Sequence, residues 1–255
     1  MLTPRLLPRL ASAVPTLLAL VWLVAAPAAR AETAAETQVE QSWRYELRAL
    51  GSRAGEVVMT LGGPRKVGSQ SLRSVRIEAR TDGMAARLFP AVADGTSWID
   101  RDWLPVRADW TGSIAEDKRE IRYKYRGNRT KGEYRKGGQV LLSLDQKLAD
   151  RTVDTVSVLT WVMSRDMTPG ATYSRPYFDG RRFFDMVATV GKAKEINLPV
   201  GLREAFPVSI TMTHGKIRYH MVVWVGAHDR VPYKTAFDFK PLGGLEMVLT
   251  SLRQG

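Results

Sequence analysis

His214, His220 and His228 are the only imidazoles in the 255-residue chain. Zinc needs three or four donors converging on one point, and no cysteine is present to help. The histidine spacing matches no metal-ligand pattern, so no metal site is expected. No serine lies in a G-x-S-x-G setting. Ser157 sits four residues before Trp161 and is expected to make a packing or helix-backbone contact. A Ser-His-Asp set would be scattered along the chain, and nothing singles out a base. Asp100 and Asp102 flank a turn and are expected to serve it, not to act as a glycosidase pair. Gly62-Gly63 precedes Pro64 and not a helix, so no phosphate loop is implied. No cofactor is expected.

Two other groupings could do chemistry by binding. Between Lys118 and Lys136 lie nine basic residues against Glu120 and Glu133. Arg122, Lys124 and Arg126 alternate along one strand, and Arg129, Lys131, Arg135 and Lys136 extend the charge over the next turn and strand. Tyrosines at 123, 125 and 134 lie between them. Such a stretch attracts anions. It fits an anionic membrane or glycolipid surface. The alternative is a solvated strand face whose charge discourages edge pairing. The second grouping is aromatic. Trp98, Trp103 and Trp110 crowd one hairpin region, with Trp161 and Trp224 later. In an incompletely filled barrel they would line a pocket for an apolar or lipid-like ligand; otherwise they are core.

The elements that must position these residues have period two. Trp43, Tyr45 and Leu47 alternate with Arg44, Glu46 and Arg48, and Val75, Ile77 and Ala79 with Arg76, Glu78 and Arg80. Ile121, Tyr123 and Tyr125 repeat the pattern, as do Ile217, Tyr219, Met221 and Val223. Each run is a strand with one buried and one wet face. Tyr123, Tyr125, Tyr219, Met221 and Val223 should therefore face the core, and Arg122, Lys124, Arg218 and His220 should face away. Turn pairs separate the runs, among them Gly51-Ser52, Asp82-Gly83, Asp94-Gly95, Gly127-Asn128, Asp179-Gly180 and His214-Gly215. The fold class read from this is all-β: an antiparallel meander forming a curved sheet or open barrel, with no room for parallel crossovers. One segment differs. Thr152 to Arg165 lacks Gly and Pro, places Val153, Val156, Leu159 and Met163 at helical spacing and stops before Pro169-Gly170, so a helix is predicted over 152–165. Asp150 or Thr152 would cap it.

The N-terminus reads as an export signal. Arg5 and Arg9 precede an apolar run from Leu10 to Ala29, and Ala29-Arg30-Ala31 is an A-x-A cleavage pattern. Residues 1–31 are the expected signal peptide, with an uncleaved membrane anchor as the alternative because the apolar run approaches the ~20 residues of a span, 32–42 a polar leader and 43–255 a single β domain. The chain carries +12 overall, and losing Arg5, Arg9 and Arg30 leaves +9. Export makes nucleic acid an unexpected partner. The absence of cysteine excludes lipid attachment through a thiol and any disulfide.

Several short motifs then fall in a familiar order. Tyr45-Glu46-Leu47 is followed by Gly55-Glu56, Asp100 to Pro105, Asp154 to Leu159, Pro169-Gly170, Val223-Trp224-Val225, Asp229 to Pro232, and Gly244-Leu245. In this the chain resembles the bacterial exported family known as domain of unknown function 3108. The resemblance implies an exported, mostly antiparallel β protein with one helix near its middle, and no activity. The function expected is that of a non-catalytic periplasmic or envelope-assembly protein holding an apolar ligand. An outer-membrane barrel, with charges lining its lumen, and a hydrolase of envelope polymers are the rivals.

Overall fold

The computed structural model describes residues 39–115, 117–238 and 244–254. The signal, its cleavage residues Ala29 and Ala31, and most of the leader lie outside the described residues. The first half contains β1 (Val39–Ala49), β2 (Ser52–Gly62), β3 (Arg65–Val67), β4 (Gln70–Thr81), α1 (Gly83–Leu88), β5 (Ala91–Ile99), β6 (Pro105–Ile114), β7 (Asp117–Arg126), β8 (Arg129–Lys136) and β9 (Gln139–Lys147). The second half contains β10 (Val153–Asp154), α2 (Ser157–Met163), β11 (Thr172–Phe178), β12 (Phe183–Val190), β13 (Lys194–Leu198), β14 (Gly201–His214), β15 (Ile217–Gly226), β16 (Pro232–Phe237) and β17 (Leu245–Gln254).

Each half is a meander, and the two are joined where β1 pairs with both β2 and β17. The ladder runs β9–β8–β7–β6–β5–β4–β2–β1–β17–β16–β15–β14–β12–β11–β10, with β3 on β4 and β13 on β14. Alternation decides which face is inside. Trp43, Tyr45, Leu47, Val75, Ile77, Tyr123, Tyr125, Met221 and Val223 are buried, while Arg122, Lys124, Arg218 and His220 are exposed. Tyr219, expected inside, is half-buried near its strand end and packs on Phe184, ring centroids 5.5 Å apart.

The expected antiparallel meander is present, with three differences. The first is a parallel pair, β10 with β11, reached through a crossover that contains α2. Two residues suffice for this strand, so little length is needed. The second is the helix, which occupies Ser157–Met163 and not 152–165. Val153 and Asp154 pair with Tyr177 and Phe178 instead, consistent with the β-branched residues of this segment favouring a strand. Neither Asp150 nor Thr152 caps the helix. The Asp154 carboxylate accepts the Val156 and Ser157 N–H groups, at 3.0 and 2.7 Å, satisfying donors that a helix start leaves open. The third is Asp94-Gly95, which lies inside β5 and makes no turn. Gly95 opposes Trp110, and a Cβ there would lie 2.7 Å from the indole.

Gly132 repeats that device. It opposes Tyr123, and a Cβ would collide with the Arg122 carbonyl oxygen and lie 2.7 Å from the Tyr123 ring. Glycine lets a sheet curl, and an aromatic ring laid over it covers the gap. Gly132→Ala should therefore cost about 2–3 kcal/mol, the scale of overpacking against backbone, measured by urea unfolding. A loss below about 0.5 kcal/mol, the scale of an ordinary surface change, would show that the curl does not depend on it.

The curl brings β10 and β11 against the inner side of β5 to β8, yet no ladder joins them among the described residues. Side chains form the seam. Tyr123 donates to the Gly180 carbonyl at 3.0 Å and meets Phe178 edge-on, centroids 4.7 Å apart. Ser97 on β5 donates to Asp154 at 2.6 Å. β8 and β9 run on past the seam, and β9 is a free edge with Val140 and Leu141 exposed. α2 lies inside, every residue buried.

Candidate anion-binding groove

The outer face of β6 to β9 carries a groove. Register places Arg107, Lys124 and Lys131 side by side on β6, β7 and β8, with Asp145 next on β9. One row away, Arg126 opposes Arg129, which opposes Lys147. Like charges directly opposite each other are destabilising in a sheet. Here they lie against a groove of about 690 Å³ whose lining includes Arg107, Arg122, Lys124, Arg126, Arg129 and Lys131 against Asp109, Glu133 and Asp145. Gly132 and Tyr123, the pair that bends the sheet, line it too.

The acids neutralise part of this charge. Arg107 pairs with Asp109, Arg122 with Glu120 at 3.3 Å, and Arg129 and Lys131 share Asp145 at 2.5 and 3.4 Å. Hydrogen bonding from Arg129 holds the Asp145 carboxyl below its ordinary range. Lys124 and Arg126 form no ion pair among the described residues. Of the seven basic residues singled out from sequence, five line the groove. Arg135 and Lys136 do not, being paired with Glu133 and Asp117, each at 2.8 Å. Arg107 joins them from β6, outside the basic run.

The five tryptophans do not converge. Trp110 and Trp161 are buried. Trp98 and Trp224 alternate with buried neighbours and are half-buried on the outer face, with Arg107 and Lys234 over their rings at 4.8 and 5.3 Å. Trp103 sits in the β5–β6 loop beside Arg73. The histidines are likewise apart: His214 bonds the Phe183 carbonyl, His220 bonds Ser209 at 2.9 Å, and His228 faces Glu204. Ser209 and His220 lie on the outer face of neighbouring strands, and no carboxylate among the described residues orients the imidazole. The serine that does meet an acid is Ser97, beside a wholly buried Asp154 that also faces the Tyr125 hydroxyl. Burial pushes the Asp154 carboxyl up, with the backbone and serine hydrogen bonds opposing. This cluster fastens α2 to the wall.

The sequence model of the family described as protein of unknown function DUF3108 matches residues 42–250. The chain belongs to that family. Its order of motifs has a spatial counterpart in this DUF3108 member. Arg151, just before β10, bridges Asp100 and Asp102, and Arg230 donates to the Arg165 carbonyl after α2, so two of the motif segments contact the residues that flank β10 and α2. Among solved structures, the chain is similar to a β-barrel-like protein of domain of unknown function DUF1849 from Brucella abortus, with 14% identity, 86% of this chain and 99% of that chain covered, and a TM-score of 0.57. That likeness shows the fold. Weaker similarities are to a candidate exported protein with a YmcC-like fold from Bacteroides fragilis (10% identity, 86% and 97% covered, TM-score 0.38) and to the hypothetical lipoprotein YmcC from Escherichia coli (13%, 82% and 83%, 0.33). No curated protein matches the sequence.

Proposed function

We propose that this protein is a non-catalytic binding protein of the cell envelope that docks on anionic lipid headgroups through the β6–β9 groove. The observation that carries the reading is the pair of cross-strand rows of like charge, with Lys124 and Arg126 unneutralised. An arrangement that costs stability in the free protein is relieved by a bound anion. The basic, apolar leader with its A-x-A pattern supports export. The inside-apolar, outside-charged wall is the reverse of what a lipid-embedded barrel presents. The near-complete burial of Trp43, Trp161, Phe178 and Phe184 supports headgroup contact at the groove over an acyl chain held inside.

Co-sedimentation of the mature protein with phosphatidylglycerol-containing vesicles tests this. Binding should be strong at low salt and fall steeply near 0.1 M, where the screening length is about 10 Å. Lys124→Gln with Arg126→Gln should weaken it by about tenfold or more. Arg73→Gln, Arg76→Gln and Arg80→Gln on β4 should change it little, because Arg73 pairs with Glu40, Arg76 with Asp94, and Arg80 lies 3.9 Å from Glu56. Equal loss from both sets would mean that net charge alone matters and would overturn the groove, as would no binding at all.

A further inference from the structure

A second cavity, sharing no residue with the groove, lies beside the C-terminal end of α2. It is about 520 Å³ and is lined by four arginines, Arg101, Arg151, Arg165 and Arg175, together with Trp103 and Trp161. Local sequence builds its walls. Asp100 accepts the Asp102 and Leu104 N–H groups at 2.9 and 3.2 Å, and Trp103 closes the turn with a φ of +63°. Left-handed backbone is unfavourable for a residue with a Cβ, by about 1–2 kcal/mol. Arg151 clamps the turn by bridging Asp100 and Asp102. Asp150 is taken by Arg175. The carboxylates at this cavity are thus all engaged.

Arg165 is not neutralised. Its Nε donates to the Trp161 carbonyl at 3.2 Å and its Nη2 to Ser164 Oγ at 2.8 Å, which hold the guanidinium over the Trp161 ring, 5.2 Å from the centroid. Among the described residues no carboxylate forms an ion pair with it and no acceptor meets its Nη1. Among the same residues Arg175 donates through Nη1 alone, to Asp150. The indole Nε1 of Trp161 is buried and has no hydrogen-bond partner. Partial burial, and after it the proximity of Arg175, lowers the proton affinity of Arg165, with Tyr173 and Asp102 opposing. A fixed, half-desolvated guanidinium with open donors is suited to a planar or tetrahedral oxyanion.

We propose that this cavity is a binding site for a phosphate-type oxyanion, held by Arg165 and Arg175 and flanked by Trp103 and Trp161. Free phosphate and the phosphate of a lipid headgroup share this chemistry. The inference stands whether or not the β6–β9 groove docks on membranes.

Isothermal titration of the full mature protein with inorganic phosphate, and separately with water-soluble dihexanoylphosphatidic acid, tests it. At least one probe should bind saturably at one site. Arg165→Gln and Arg175→Gln should each weaken that binding about tenfold or more, with Arg165→Lys falling between, because a point charge replaces the fork. Thermal melts of the same variants separate loss of ligand from loss of fold. Lys124→Gln with Arg126→Gln removes any binding of the probes at the β6–β9 groove and should leave the component that depends on Arg165 and Arg175 unchanged. A tenfold preference for the lipid assigns the site to headgroups; equal affinity assigns it to free phosphate. No saturable binding of either probe, wild-type affinity in folded Arg165→Gln and Arg175→Gln, or loss of the Arg165-dependent component in the groove variant would each overturn the proposal.

Discussion

Asp154→Ala should lose roughly 3–4 kcal/mol of stability, on the scale of about 1–3 kcal/mol for each buried polar group left without a partner. One carboxylate accepts the Val156 and Ser157 N–H groups and the Ser97 hydroxyl in a fully buried setting. Alanine orphans all three and detaches α2 from β5. Asp154→Asn keeps an oxygen for the two amides and offers an N–H to Ser97 Oγ, so it should stay within about 1 kcal/mol of the parent. The two variants also differ in pH response. Burial raises the folded-state carboxyl above its unfolded value of about 3.9. Between those two values the folded protein binds more protons than the unfolded chain, so this group's contribution is fully present below about pH 3.9 and is lost as pH rises through the folded value. Asparagine should remove that slope. Urea titrations from about pH 4 to 7 read both effects. An alanine variant as stable as the parent would show that this cluster does not hold the helix.

Tyr123→Ala should cost about 4 kcal/mol, the usual range for truncating a buried aromatic. Tyr123 is 1% exposed, covers Gly132, meets Phe178 edge-on and donates to the Gly180 carbonyl. No backbone ladder stands behind it at the seam, so the loss is not shared with strand hydrogen bonds. Tyr123→Phe removes only the hydrogen bond and should cost about 1 kcal/mol. The same comparison separates the seam from the groove: the phenylalanine variant should sediment with anionic vesicles as the parent does. Near-parental stability of the alanine variant would mean that other contacts hold the seam.

The wall of this curved sheet was legible because burial follows parity. Arg122, Tyr123, Lys124 and Tyr125 declare their faces by alternation alone. The same parity held the answer for Trp98 and Trp224, which alternate with Ser97, Ile99, Val223 and Val225, all buried. Grouping the tryptophans by type hid it. What failed were features decided by distant partners. Asp94-Gly95 has the chemistry of a turn, yet Gly95 is needed for the indole of Trp110 across the ladder. Val153 and Asp154 fit a helical period until Tyr177 and Phe178 offer them backbone partners. The groove was half visible, as a run of basic residues. Its sixth cation, Arg107, and its rows of opposed charge depend on register, which no local pattern carries. The cavity at α2 draws Arg101, Arg151, Arg165 and Arg175 from separate segments, so spacing gave no sign of it.

The pairing of β1 with β17 bears on the order in which the chain can fold. Gln41 lies opposite Gln254, so strands from the two ends of the domain sit side by side in the middle of the sheet. During synthesis the first meander can form its hairpins, but β1 keeps an open flank until the last strand has emerged. Contacts this far apart in sequence form late and slowly. The two halves of the sheet are therefore united only when β17 docks beside β1.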